Sequence, residues 1–171
     1  LITTLYFDTG NNQVKEVAVA VLPGGDSPPV AGSCNRTDPT PPDMDSRFPA
    51  RAAVPCYGTS VPARSLTIVR LDTGEIIRSF RGSAADAPAS LVGSGRVTEA
   101  PLDSPITGTP VAFPGTTGAI ADRAFVGDRD GTLWRVDLSS TNPGNWSMKL
   151  FFDVYSSALG HTWSDGHPIQ T

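Results

Sequence analysis

Several features that mark particular classes of protein are scarce or absent in this 171-residue chain. No run of apolar residues approaches the roughly 18 that a membrane-spanning helix needs, so we predict no membrane span. Lysine occurs only at Lys15 and Lys149. The 13 basic residues form no cluster along the sequence, and the 17 acidic residues outnumber them. The resulting net charge of −4 argues against a nucleic-acid-binding surface. Charged residues are scarce at 18 %, but hydrophobic residues, at 39 %, are too frequent for a wholly disordered chain.

Cysteine is also scarce, with Cys34 and Cys56 as its two occurrences. They flank a proline-rich stretch, 35–55, that contains no histidine, and two thiols alone make a poor metal site. We therefore expect a disulfide that closes this loop, worth about 3 kcal/mol of chain entropy. Such a bond implies an oxidising compartment. Two separate free thiols are the alternative.

Proline and glycine, in contrast, are abundant, with 16 and 17 residues. The prolines are spread along most of the chain and cannot sit inside a helix, so long helices are excluded. Several segments also alternate apolar and polar residues, as half-buried strands do. The composition and the patterning together predict a loop-rich all-β fold.

Two stretches of the chain each predict four consecutive strands. In the first stretch, 2–7 and 17–22 are extended, and 65–71 with 75–80 form a hairpin around the turn Asp72-Thr73-Gly74. In the second stretch, an extended segment at 103–113 precedes the strands 123–127, 132–138 and 146–152. The turn at 128–131 joins the first two of these three strands, which make a meander.

The repeated four-strand unit is the signature of a β-propeller. We predict a partial propeller of about two four-stranded antiparallel blades with a proline-rich, disulfide-closed insertion. The first blade spans 1–82 with the insertion at 26–62, 83–103 is a linker, 104–153 is the second blade, and 154–171 starts a third. The three units open on similar residues, namely Ile2-Thr3, Pro105-Ile106-Thr107 and Pro168-Ile169-Gln170-Thr171. An ordinary antiparallel sandwich is the alternative.

A propeller blade buries both of its faces against neighbouring blades. Two blades alone leave two large apolar faces uncovered, and such a pair is not expected to be stable by itself. We therefore expect this chain to be a piece of a longer protein, and we expect the remaining blades of that protein to be its first partners.

The second unit contains the run Arg123-Ala124-Phe125-Val126-Gly127-Asp128-Arg129-Asp130-Gly131-Thr132-Leu133-Trp134-Arg135-Val136-Asp137-Leu138, and Trp146, Leu150-Phe151-Phe152 and His167-Pro168-Ile169-Gln170-Thr171 follow it. This pattern resembles the C-terminal, quinoprotein-like propeller of the PilC/PilY family, the adhesins and biogenesis factors at the tip of type IV pili. The family core reads A-Y-V-G-D-x-x-G-N-L-W-R-F-D-L and is followed by a later Trp, an L-F pair and Q-P-I-T. Thr132 here replaces the usual Asn and Val136 the usual Phe, and the insertion lies outside the match. The matching residues, which we interpret as a blade-packing motif, are Gly127, Asp128, Gly131, Leu133, Trp134 and Asp137.

The resemblance implies a bacterial, non-enzymatic protein at the cell surface, either at the pilus tip or associated with the outer membrane. It implies a role in pilus assembly and adhesion, with minor pilins or the pilus tip, and a host or surface receptor, as partners. A quinoprotein-like propeller enzyme and a periplasmic scaffold propeller are the alternatives. We predict no catalytic and no cofactor-binding residues, because the chain shows no cluster of carboxylates of the kind that a quinone site with calcium requires.

Calcium is the cation that the resemblance raises, because family members often carry an Asp-rich loop within a blade. The matching loop here, 114–122, has Asp122 as its only acidic residue, whereas calcium needs several oxygen ligands. Asp128 and Asp130 are the candidate ligands, but aspartates in a turn usually bond the local backbone. We predict no metal in this segment and leave calcium open elsewhere in the longer protein. The insertion at 26–62 is either a contact surface or a surface decoration.

Overall fold

The computed structural model describes residues 1–26, 62–102, 104–115, 118–129 and 131–153. Within these ranges the chain forms nine strands in two sheets, one short α-helix and two 3₁₀ turns, which confirms the all-β class. Four earlier predictions fall outside the described residues: the disulfide between Cys34 and Cys56, the candidate ligand Asp130, most of the insertion, and the start of a third blade at 154–171. No helix in the described part of the chain is long and apolar enough to cross a membrane.

The first sheet has the strand order β1-β2-β3-β4-β5. Its first four strands pair antiparallel in chain order, as the sequence pattern predicts. Asn11 and Asn12 close the β1–β2 turn with φ angles of 57° and 58°, a left-handed conformation that asparagine tolerates better than most residues. The strand bounds are β1 (Ile2–Asp8), β2 (Val14–Pro23), β3 (Ser65–Arg70), β4 (Ile76–Arg81) and β5 (Val97–Glu99).

The fifth strand was not predicted, since 83–103 was expected to be a linker. This segment holds the helix α1 (Ala89–Gly93) and then β5, which pairs with β4 in parallel. The first sheet therefore has five strands instead of four and is not wholly antiparallel. A parallel pair needs a crossover of about a dozen residues, and the segment with α1 supplies it. Three residues are too few to show the alternation by which strands are recognised.

The second sheet has the order β6-β7-β8-β9 and is antiparallel throughout. Its four consecutive strands agree with the pattern predicted for 104–153. The first of them is shorter than the extended segment suggested, because Pro105 and Pro110 have no N–H group to offer to a sheet. The strand bounds are β6 (Val111–Phe113), β7 (Arg123–Gly127), β8 (Thr132–Asp137) and β9 (Ser147–Asp153).

The two sheets share one hydrophobic core. The rings of Phe7 and Trp146 meet edge to face across it, with centroids 5.5 Å apart. Backbone hydrogen bonds also join the two sheet regions, from Asp8 N to Thr141 O (2.7 Å) and from Ala121 N to Thr4 O (2.9 Å). Each sheet therefore presents one buried face to the other. The buried side chains include Leu5, Val19, Val21, Leu66, Ile68 and Phe80 from the first sheet and Val126, Trp134, Val136 and Met148 from the second.

Candidate functional site

The turn between β7 and β8 is built around a buried carboxylate. Asp128 is fully buried, and its Oδ1 accepts a hydrogen bond from Thr132 N at 2.9 Å. Its Oδ2 accepts from the Thr132 hydroxyl and, at 2.9 Å, from the indole Nε1 of Trp134. Both carboxylate oxygens thus bind donors within the same turn and strand.

These contacts explain why an aspartate occupies this position. A buried carboxylate is costly unless hydrogen bonds replace its lost hydration, and bonds to a charged acceptor are among the stronger ones. A buried indole N–H also needs an acceptor, so Asp128 and Trp134 satisfy each other. Across the residues that the structure describes, no group of three or more His, Cys, Asp or Glu side chains is placed to hold a metal ion.

Backbone contacts dock this turn onto the chain that leads into β6. Gly108 N donates to Gly127 O at 3.0 Å, and Arg129 N donates to Pro105 O at 2.9 Å. A Cβ atom on Gly108 would lie 2.9 Å from Gly127 N, so this close approach requires glycine. Gly131 has a φ of 84° and donates its N–H to Asp128 O. The glycines of the motif region therefore serve the turn and its docking.

The other motif residues lie along β8. Trp134 points into the core between the sheets and is 1 % exposed, whereas the neighbouring Leu133 is half-buried on the opposite face. Asp137 ends the strand, and its Oδ1 accepts hydrogen bonds from Ser139 N (3.0 Å) and Ser139 Oγ (2.7 Å). The Ser139 hydrogen bonds lower the pKa of Asp137. The structure thus brings Asp128 and Trp134 together but leaves Asp137 at the far end of the strand.

The outer face of the second sheet carries a cluster of aromatic side chains that sequence reasoning did not single out. The Phe125 ring contacts Phe113 at 5.9 Å and Phe151 at 5.0 Å between centroids, both close to T-shaped. Phe113 is 48 % exposed and Phe151 is 57 % exposed, and Val111 next to them is also exposed. We call these four residues the aromatic face. The sequence does carry a signal for this face, because Phe125 alternates along its strand with the buried Ala124 and Val126.

An apolar surface patch of this kind marks a contact site more often than isolated exposed residues do. The Asp128 turn and the aromatic face therefore differ. The carboxylate of the Asp128 turn finds its hydrogen-bond donors within the chain, whereas no layer of described residues covers the aromatic face. Comparison of this chain with protein-family models, with curated proteins and with solved structures found no match.

Proposed function

We propose that the two sheets are neighbouring blades of a β-propeller in a non-enzymatic protein of the PilC/PilY type. Each sheet contains four consecutive antiparallel strands, which is the order of strands in a propeller blade. The two sheets also pack face to face around one core. The fifth strand of the first sheet then extends the outer edge of its blade.

The single observation that carries this proposal is that the second sheet, apolar on its inner face, also holds a cluster of apolar side chains on its outer face, beside the charged Arg135 and Lys149. Its inner face buries Trp134 and Val136, and its outer face exposes the aromatic face. In a two-layer sandwich, the outward-facing positions alternate as polar residues. A blade in a propeller buries both faces, so both are apolar. The aromatic face therefore favours the propeller over the sandwich.

The propeller assigns a definite neighbour to the aromatic face. The next blade along the chain packs against it, and the segment 154–171 follows directly after β9. Its Pro168-Ile169-Gln170-Thr171 sequence is similar to the opening of the preceding unit at Pro105-Ile106-Thr107. The remaining blades come from the longer protein of which we propose this chain is a part.

The biological role rests on the resemblance of the second unit to the PilC/PilY core. We propose a bacterial surface protein, at the pilus tip or associated with the outer membrane, that promotes pilus assembly and adhesion. Its partners are minor pilins or the pilus tip, together with a host or surface receptor. The contacts of Asp128 and Trp134 with each other support a packing role for the motif instead of a catalytic one.

Deletion of the gene in the bacterium that encodes it tests the role. We expect fewer surface pili and weaker adhesion, and we expect the protein to co-purify with pili sheared from the parent strain. Complementation with the intact gene is the control. Normal piliation together with normal adhesion after deletion contradicts the pilus proposal and favours a propeller scaffold or a quinoprotein-like enzyme instead.

A further inference from the structure

A cleft beside β3 and β4 gathers three arginines that no sequence motif indicated. Its volume is about 240 Å³, and Arg70, Arg78 and Arg96 line it together with the carboxylates of Asp8 and Glu75. Residues 142–144, from the loop between β8 and β9, form its opposite wall. Both sheets therefore contribute to the cleft, and its lining carries an excess of one positive charge.

Two of the three arginines already have carboxylate partners. Arg70 donates from Nε to Asp72 Oδ1 at 2.9 Å and from Nη2 to Asp72 Oδ2 at 2.6 Å. Arg96 donates to Glu75 and also, at 2.8 Å, to Ile76 O. The Asp72 hydrogen bond raises the pKa of Arg70, as expected for a cation beside a carboxylate. Arg78 is the third arginine of the cleft, and its surroundings differ from those of the other two.

Arg78 is only 7 % exposed, yet it forms no ion pair among the described residues. Its Nη1 donates to Gly95 O at 2.7 Å, and its buried Nε has no hydrogen-bond partner. Asp8, the other carboxylate at the cleft, accepts a hydrogen bond from Gly10 N at 2.8 Å. The guanidinium edge formed by Nε and Nη2 is therefore the unused edge.

A buried cation without a partner is unfavourable. Burial lowers the pKa of Arg78, and the charge of Arg96 lowers it further. Removing an arginine from water is costly unless an anion or several acceptors replace the lost hydration. A negative group that enters the cleft at this edge relieves both effects.

We propose that the cleft binds a carboxylate, to which Arg78 donates from Nη2, the nitrogen beside Gly144 of the cleft wall, and from Nε once the guanidinium turns toward the cleft. Arg70 shows the geometry in the same molecule, because it holds Asp72 through the corresponding two nitrogens. A planar carboxylate matches this two-pronged edge. The lining has a surplus of only one positive charge, and Glu75 and Asp8 repel a second negative charge, so the cleft favours a carboxylate over a doubly charged phosphate. This inference does not depend on the pilus proposal.

The carboxylate has two sources, a small free acid or an acidic side chain of a peptide. Nuclear magnetic resonance of arginine Nε–H groups separates them in the unaltered protein. Sodium acetate is titrated against sodium chloride at constant ionic strength, and a capped Ser-Gly-Glu-Gly-Ser peptide is compared with its Gln counterpart. We expect a saturable shift of the Arg78 Nε resonance, with little change at Arg70, which is already paired and serves as the internal control.

If acetate binds and the Glu peptide does not, the ligand is a small acid. If the Glu peptide binds at least about tenfold tighter than acetate, the ligand is an acidic side chain. Either outcome supports the proposal. Arg78→Lys keeps the charge but loses the two-pronged edge, so we expect about tenfold weaker binding. Equal shifts at Arg70 and Arg78 indicate an adventitious ion only and overturn the proposal. An Arg78 resonance that moves with neither probe overturns it as well, and this result requires no variant to fold.

Discussion

The outer faces of the two sheets differ, although their inner faces are alike. Both inner faces consist of aliphatic and aromatic side chains that meet in one core. The outer face of the first sheet mixes the exposed Ile2 and Tyr6 with small or polar residues such as Thr4 and Ala18. The outer face of the second sheet instead carries the aromatic face, whose phenylalanine rings contact one another beside the charged Arg135 and Lys149. The second sheet therefore has the stronger requirement for a neighbour.

The inner faces and the aromatic face differ in where their packing partners come from. Contacts on the inner faces stabilise the described part of the chain itself. The side chains of the aromatic face contribute further hydrophobic stabilisation only when another layer covers them. Substitutions on the two faces of one strand should therefore have unequal effects, and the inequality should shrink when the missing layer is present.

The largest expected effect is that of Trp134→Ala on the inner face. The substitution leaves a cavity in the core and removes the indole donor from the buried Asp128. We expect the free energy of unfolding to fall by about 3–5 kcal/mol, measured by urea unfolding with circular dichroism. The matched control is Phe113→Ala on the aromatic face, where we expect a change within about 0.5 kcal/mol. Equal losses in the two variants would contradict the assignment of the faces.

The next effect is that of Asp128→Asn. The amide nitrogen replaces a carboxylate oxygen that accepts from Thr132 and Trp134, so a buried donor loses its acceptor. We expect a loss of about 1–3 kcal/mol in the same urea experiment. Asp137→Asn is the control, because Asp137 lies at the end of β8, the strand that follows the Asp128 turn, but is half-exposed. A loss at Asp128 no larger than that at Asp137 would show that the turn does not depend on the charge.

A third prediction tests the missing layer with two adjacent residues of β9. Leu150 is 8 % exposed and Phe151 is 57 % exposed. In this chain we expect Leu150→Ala to cost about 2–4 kcal/mol and Phe151→Ala less than about 1 kcal/mol. In a longer protein that contains the next blade, Phe151→Ala should become about as costly as Leu150→Ala. Thermal unfolding of both variants in both chains measures this, and an unchanged Phe151 effect would remove the main support for the propeller.

The sequence predicted strands well where the pattern is long and local. The hairpin of β3 and β4 follows from β-branched residues on both sides of Asp72-Thr73-Gly74, and β8 follows from its strict alternation. The parallel strand β5 was missed because three residues carry no periodicity and its pairing depends on the fold around it. The aromatic face was missed because alternation indicates two faces but does not say what covers either.

The buried Arg78 could not be predicted for a related reason. In Ile76-Ile77-Arg78-Ser79-Phe80, an arginine is expected to point to solvent. The regular register of β3 and β4 pairs Leu66 with Phe80 and therefore Arg78 with Ile68, which is fully buried; the register shifts only beyond this pair. The residues that surround Arg78 come from distant parts of the chain, and no local pattern in the sequence marks them. The cleft that Arg78 lines therefore becomes visible only in the folded chain.

The smallest expected effect concerns the pH dependence of stability at the end of β8. The Ser139 hydrogen bonds lower the pKa of Asp137 in the folded protein. A carboxylate whose pKa is lower in the folded state stabilises that state above its unfolded pKa, and this contribution is lost as the pH falls through the folded pKa. Asp137→Asn should therefore reduce stability slightly at neutral pH and not at all in strong acid, which thermal unfolding from pH 7 to pH 2 can measure. The effect is small because the half-exposed carboxylate is screened by solvent.

Ser139→Ala is the matched variant, since it removes the hydroxyl donor and keeps the charge. A loss of stability from Asp137→Asn that is the same at pH 2 and pH 7 would assign its role to packing and not to charge.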